Sequence, residues 1–177
     1  MSGSLLAEAV RRTGTELWCD SSGVDDLAYA LERGATGATS NPPIVLGVVR
    51  GEGNVWHARA RELASERPGA TETEIAWSIV EEVAARGARL LLPVFEASGG
   101  RRGRLSAQVD PRLSRDAAAM LAQAERLAAL GPNLQVKLPV TAAGLAAIEE
   151  ATARGIEVNA TANFTVAGAI AVAEAVE

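Results

Sequence analysis

The chain has 177 residues, 48% of them hydrophobic, and a formal net charge of −5, so one buried core and a single domain over residues 1–177 are predicted. The acidic balance argues against a general nucleic-acid-binding protein, because phosphate contacts need clustered positive charge. The chain has one cysteine, Cys19, which excludes an internal disulfide framework and is typical of a reducing compartment. The sequence shows no signal-peptide pattern and no membrane-spanning apolar run, so a cytoplasmic protein without a membrane partner is predicted.

Short β-prone runs alternate with longer alanine-rich helical stretches. In the first half of the chain, the pattern predicts a strand at 16–20, a helix at 24–35, a strand at 36–41, helical material through the fifties and sixties, and a helix at 75–85. In the second half, it predicts strands at 103–110, 134–140 and 156–164, followed by helices at 114–130, 142–155 and 166–177, respectively. Thr71 and Glu74 form a capping box before the helix at 75–85. Five strand–helix repeats predict a parallel α/β fold, and periodicity leaves both a barrel and a doubly wound sheet open.

Polar residues lie at the ends of the predicted strands, where ligands bind in parallel α/β folds. They are Asp20, Asn41, Gln108 with Asp110, Lys137, and Asn159 with Thr161. Asn159 and Thr161 share one face of their strand, because side chains alternate. Structural roles compete with chemical ones: Asp20 and Asn41 could cap the turns that follow them, and Gln108 could be a core amide.

Lys137 is the only lysine among the seventeen lysines and arginines of the chain. It lies between Val136 and Leu138 in a predicted buried strand, where an ammonium group must lose its hydration or find a partner. Burial disfavours the charged form of an amine, and a neutral amine is a nucleophile for carbonyl groups. Arginine keeps its proton and cannot form an imine, so this position is predicted to have a chemical role.

Five segments in the same order resemble the transaldolase family, including its small fructose-6-phosphate aldolase relatives. They are LWCDSSGVDDL, GATGATSNPPIV, LLLPVFEASGGRRGRLSAQVDPRLSRDA, NLQVKLPVTAAGLAAIEE and RGIEVNATANFT. Lys137 and Thr161 lie twenty-four residues apart, which is similar to the family's spacing. The resemblance implies a TIM-type (β/α)₈ barrel that moves a dihydroxyacetone unit between sugars, with a sugar or sugar phosphate as substrate.

The resemblance also implies roles for individual residues. Lys137 would form a Schiff base with the ketose carbonyl, and Asp20 would be the acid/base in carbon–carbon cleavage. Thr161 would position the catalytic water, and Gln108 would contact it. The imine is the electron sink, so neither a metal nor an organic cofactor is expected.

Substrate binding is carried over to three further residues. Asn41 would hydrogen-bond the hydroxyls of the three-carbon unit, and Asn159 and Ser40 would line the same pocket.

Two departures from the family pattern bear on function. Gln108, in SAQV, stands where transaldolases have a proton-shuttling glutamate, whereas the aldolase relatives resemble this chain in having glutamine. The family's last three strands, with their phosphate-binding serine and arginine, have no counterpart after residue 177, so a partial barrel of about five βα units is expected. Either the sequence is a fragment of a longer chain, or the open edges of the barrel are expected to be closed by a second copy of the chain or by a partner chain.

Three functional hypotheses follow. The first is an aldolase-like or transaldolase-like enzyme that works through Lys137. The second is a truncated homologue that is catalytically weak or inactive and acts as a binding or assembly protein. The third is an aldol enzyme for an unphosphorylated or unusual metabolite.

Overall fold

The computed structural model describes residues 5–177, which form five strands and the helices around them. The strands are β1 (Trp18–Cys19), β2 (Gly37–Thr39), β3 (Arg104–Gln108), β4 (Leu134–Pro139) and β5 (Val158–Thr161). The helices are α1 (Leu5–Thr13), α2 (Val24–Glu32), α3 (Pro42–Gly51), α4 (Gly53–Glu66), α5 (Glu72–Ala97), α6 (Ala117–Ala128), α7 (Ala142–Ala153) and α8 (Val166–Val176), with a 3₁₀ turn at Pro111–Leu113.

The strands form one parallel sheet in the order β1-β2-β3-β4-β5. Each strand is added beside the one before it, as in a (β/α) barrel, whereas a doubly wound sheet reverses direction at a switch point. The predicted parallel α/β fold of TIM-barrel type with five βα units is therefore confirmed. The chain divides into two compact units, one ending at Leu105 and the other covering Ser106–Glu177.

In the first unit, a short β1–β2 ladder leads into a helical core. Trp18 lies opposite Gly37 in this ladder, and a Cβ atom on Gly37 would lie 2.6 Å from the Trp18 ring. The absence of a side chain at position 37 therefore lets the indole pack on the strand. Apolar residues of α3, α4 and α5 form the helical core: Val45, Val48, Trp56, Leu63, Ile79 and Val83.

Helix α5 begins as predicted and runs further than predicted. The Thr71 hydroxyl accepts from the Glu74 N–H at 3.2 Å, and the Glu74 carboxylate accepts from the Thr71 N–H at 2.7 Å, which confirms the capping box. The helix continues past residue 85, through Gly87 and Pro93, to Ala97. A Cβ atom on Gly87 would lie 2.7 Å from the Leu105 side chain, so glycine at this position lets Leu105 pack directly against the helix.

In the second unit, β4 is packed on one face by α6 and α7. Val136 and Leu138 are fully buried on this face, together with Leu127 and Ile148 of the helices. Helix α7 begins close to the end of β4, since a Cβ atom on Gly144 would lie only 1.8 Å from the Pro139 carbonyl oxygen. Only glycine fits at this position.

Helices α1 and α8 are the least covered of the described elements. Neither helix contains a buried residue. Leu5 is 85% exposed, and Phe164 and Val166, at the start of α8, are 89% and 79% exposed. Helix α1 has no counterpart in the sequence prediction, and α8 was predicted within one residue of its observed end.

Candidate functional site

The face of β4 opposite its helix-packed side carries the lysine. Burial alternates along the strand, so Val136 and Leu138 are buried, whereas Lys137 is partly exposed. This corrects the expectation of a buried amine: the apolar neighbours of Lys137 in sequence point to the other face of the sheet. The amine is therefore on a face that water and small molecules reach.

Lys137 is flanked by an amide on each neighbouring strand. On one side, Lys137 and Asn159 are partners in the β4–β5 register. On the other side, the Val109 N–H donates to the Lys137 carbonyl at 3.2 Å, and in a parallel ladder this places Gln108 opposite Lys137. Gln108, Lys137 and Asn159 thus form one row across three strands, on one face of the sheet.

Asn159 is fixed by a residue that the sequence patterns did not single out. Its side-chain amide donates to the Ser106 hydroxyl oxygen at 2.9 Å, and Ser106 is fully buried. The available signal was weak: Ser106 lies two residues before Gln108, so alternation places both polar side chains on the same face of β3.

Thr161 ends β5 on the same face. It pairs with Pro139, two residues beyond the Lys137–Asn159 pair, and is partly exposed. The next residue, Ala162, has a φ of +57°, a left-handed conformation that is uncommon outside glycine. The chain therefore turns sharply directly after Thr161.

In the first unit, Asp20, Ser40 and Asn41 follow the ends of β1 and β2. Asp20 is exposed. Ser40 is 3% exposed, and its hydroxyl lies 3.1 Å from that of the buried Ser22. The Asn41 amide oxygen accepts from the Ile44 N–H at 2.9 Å and caps α3, so the capping role considered for Asn41 is confirmed.

The predicted residues therefore fall into two groups. The second unit brings together Lys137, Gln108, Asn159 and Thr161 on one sheet face, with Ser106 as an addition. The first unit holds Asp20, Ser40 and Asn41. Asp110 has a structural role, because its buried carboxylate accepts from the Arg112 guanidinium at 2.9 Å and from the Arg112 N–H at 2.9 Å.

Neither the cysteine nor the acidic residues indicate a second reactive centre. Burial raises the pKa of the Cys19 thiol, and the neighbouring Asp26 carboxylate adds to this rise, so the reactive thiolate is disfavoured. Among residues 5–177, no group of three or more His, Cys, Asp and Glu side chains is arranged to hold a metal ion. No helix in that part of the chain is both long and apolar enough to cross a bilayer.

Comparison with known proteins gives a consistent result. The model of the family described as transaldolase/fructose-6-phosphate aldolase matches residues 17–177. Transaldolase 1 of Streptomyces avermitilis is 40% identical over 131 residues, which cover 73% of this chain and 34% of that protein. The transaldolase of Thiobacillus denitrificans is 37% identical, covering 96% and 49%, and that of Mycobacterium ulcerans is 35% identical, covering 89% and 44%. The chain thus spans about a third to a half of the length of these curated relatives.

Proposed function

The chain belongs to the transaldolase/fructose-6-phosphate aldolase family, and on this basis we propose that it forms a Schiff base between Lys137 and a ketose, for aldol cleavage or transfer of a dihydroxyacetone unit. The observation that carries the proposal is the position of the single lysine: partly exposed, in a row with Gln108 and Asn159. Amides beside the amine can orient a polyhydroxylated substrate, because each amide both donates and accepts hydrogen bonds.

The proposed chemistry needs a carbonyl, an amine, a group that transfers protons, and water. The Lys137 amine adds to the ketose C2 carbonyl, and loss of water gives the iminium ion. When the proton of the C4 hydroxyl is removed, the C3–C4 bond breaks. The electron pair of that bond moves into the iminium group and gives an enamine. The aldehyde fragment leaves. The enamine then either adds to another aldehyde or takes a proton at C3 and is hydrolysed to dihydroxyacetone.

Family roles extend the proposal to other residues. We assign the proton transfer at C4 to Asp20, whose exposed carboxylate is chemically suited to it. Asn41 uses its amide oxygen to cap α3, so its NH₂ group is the part that we assign to substrate hydroxyls. Thr161 is assigned to the catalytic water, and Ser40 and Asn159 are each assigned to substrate binding.

Gln108 bears on which of the two reactions is favoured. A carboxylate at this position could relay a proton through water, whereas an amide only donates and accepts hydrogen bonds. Gln108 lies directly beside Lys137 in the ladder. We therefore favour aldolase-like handling of the enamine over efficient transfer.

A further proposal concerns the uncovered apolar surface. Phe164, Val166 and Ile170 are 89%, 79% and 54% exposed, and exposed apolar patches on folded proteins mark interaction surfaces. We propose that a second copy of the chain or a partner chain covers this apolar surface. Sedimentation of the isolated chain tests this proposal: a monomer at micromolar concentration that also binds no other chain would contradict it.

We also propose that the protein works in the cytoplasm on a sugar or sugar phosphate.

The experiment that tests the enzyme proposal uses the single lysine. The chain is incubated with dihydroxyacetone or fructose 6-phosphate, reduced with borohydride, and examined by mass spectrometry. A stable adduct on Lys137 is expected, and Lys137→Arg is the control, because arginine keeps the charge and forms no imine. An unmodified Lys137 with both ketoses would contradict the proposal.

The second candidate function, a binding or assembly protein without turnover, is favoured by the uncovered face of α8. Carbon–carbon cleavage that disappears in the Lys137→Arg variant would count against it.

A further inference from the structure

The hydrogen bond between Asn159 and Ser106 joins two strands that are not neighbours. β4 lies between β3 and β5 in the sheet, yet the Asn159 amide reaches the Ser106 hydroxyl oxygen at 2.9 Å. Adjacent strands lie about 4.8 Å apart, so the two backbones are separated by roughly 10 Å. The contact requires the Asn159 and Ser106 side chains to extend over β4, one from each neighbouring strand.

The position of this contact relative to Lys137 follows from the register. Gln108 and Asn159 are level with Lys137, whereas Ser106 is two residues earlier on β3. The Asn159 side chain therefore crosses β4 on the amino-terminal side of Lys137.

We propose that Ser106 is a positioning residue: its hydroxyl oxygen holds the Asn159 amide across β4, and this bridge keeps the Lys137 amine towards the carboxyl end of the strand, where a carbonyl compound approaches. The inference rests on the proposed function, since it explains how the amine is presented for imine formation. It also fixes the orientation of the amide. Because the Asn159 NH₂ group faces Ser106, the carbonyl oxygen of the amide is left as an acceptor for a substrate hydroxyl.

Burial supports a bridge that is permanent rather than transient. Ser106 is 0% exposed, so no water competes for its hydroxyl oxygen, and loss of the bond would leave a buried polar group without its partner. A buried hydrogen bond of this kind restricts the Asn159 rotamer. The bridge therefore exists before any substrate binds.

The test compares Ser106→Ala, Asn159→Ala and the double variant with the parent chain. The readout is the rate of reductive methylation of Lys137 by formaldehyde and cyanoborohydride, relative to a lysine peptide in the same tube. Formaldehyde condenses with the amine, water leaves, and hydride reduces the iminium ion to the methylamine, so no sugar site is needed. Because the chain has a single lysine, one peptide reports the result.

Each single variant is expected to slow labelling by roughly three- to tenfold, and the double variant is expected to be no slower than Asn159→Ala, because the hydroxyl acts through the amide. Thr152→Ala is the matched control, since it removes another hydroxyl of the same unit whose oxygen is buried in α7. It is expected to label at the parent rate. If Ser106→Ala does not fold, Ser106→Cys replaces it, because a thiol is a weak acceptor of nearly the same shape.

Equal rates in Ser106→Ala and the parent would overturn the inference, as would effects that multiply in the double variant. Ketose trapping on the same proteins separates this outcome from failure of the proposed function. A ketose adduct with an unchanged formaldehyde rate overturns the positioning role alone. Slower formaldehyde labelling with no ketose adduct on the parent chain supports the positioning role and overturns the proposed function.

Discussion

The side-chain oxygen of Asn41 accepts a hydrogen bond from the backbone N–H of Ile44 at 2.9 Å, so this amide caps α3 with one of its two ends. An amide that caps a helix through its oxygen still has an NH₂ group available to a ligand. The capping role and the proposed substrate-binding role of Asn41 therefore use different atoms, and substitutions can separate them.

Asn41→Asp is expected to keep the cap and lose the donor. Aspartate caps helices as well as asparagine does, so the free energy of unfolding should stay within about 0.5 kcal/mol of the parent, whereas Asn41→Ala should cost about 1 kcal/mol. Both variants should raise the ketose concentration that gives half-maximal trapping on Lys137. Urea unfolding and borohydride trapping measure the two effects. Parent-like trapping in Asn41→Asp would remove Asn41 from the binding proposal.

Gly144→Ala is expected to destabilise the chain by about 3 kcal/mol, because the added Cβ atom would lie 1.8 Å from the Pro139 carbonyl oxygen. The matched control is Gly47→Ala in α3, where a Cβ atom meets nothing within 4 Å. Alanine should stabilise this helix by about 0.5 kcal/mol or more, since glycine is a poor helix former. Thermal unfolding of both variants checks that the two changes in stability have opposite signs. Equal changes in stability would contradict the packing of α7 on the end of β4.

Two threonine hydroxyls of the second unit should respond oppositely to replacement by valine. Among the described residues, Thr152 has a buried hydroxyl oxygen without a hydrogen-bond partner, so Thr152→Val should stabilise the chain by about 1 kcal/mol. The Thr141 hydroxyl accepts from the Gly144 N–H at 2.9 Å and donates to the Ser114 carbonyl at 2.7 Å. Thr141→Val should therefore cost about 1–2 kcal/mol. Unfolding in denaturant measures both changes in stability. Destabilisation by Thr152→Val would show that the Thr152 hydroxyl has a hydrogen-bond partner.

The Glu52 carboxylate should make a pH-dependent contribution to stability. It accepts from the Arg86 guanidinium at 2.8 Å and from the Trp56 indole at 3.2 Å, and the hydrogen bond from Arg86 is the main reason why the pKa of Glu52 is lowered. A lowered folded-state pKa means that the stabilisation is present above the ordinary glutamate pKa of about 4.3 and is lost as the pH falls through the folded-state value.

Glu52→Gln should therefore cost about 1 kcal/mol at pH 7 and progressively less as the pH falls below about 4.3. The exposed Glu149 provides the control, since Glu149→Gln should leave the free energy of unfolding at pH 7 unchanged. Unfolding by urea across this range is the measurement. A difference between Glu52→Gln and the parent that is constant with pH would contradict the ion pair with Arg86.

The sequence patterns predicted the strand–helix order because apolar periodicity and turn residues are local properties. They placed all five strands within three residues at each end and identified the capping box at Thr71 and Glu74. The length of α5 was missed because glycine and proline, here Gly87 and Pro93, usually end helices. In the structure Gly87 lies against the Leu105 side chain, where a Cβ atom would come within 2.7 Å.

At the candidate site, the type and order of the residues could be predicted, and their environment could not. The expectation of a buried Lys137 treated its neighbours Val136 and Leu138 as its surroundings, although alternation in a strand directs them to the opposite face. Ser106 was missed because its contact with Asn159 spans fifty-three positions and an intervening strand. Such a long-range contact has no local sequence signal.

The amides on either side of Lys137 simplify the kinetics of this protein. Neither Gln108 nor Asn159 gains or loses a proton between acid and alkaline conditions, so neither contributes an inflection to a plot of rate against pH. If the chain turns over, each inflection in that plot therefore reports a group other than these two amides.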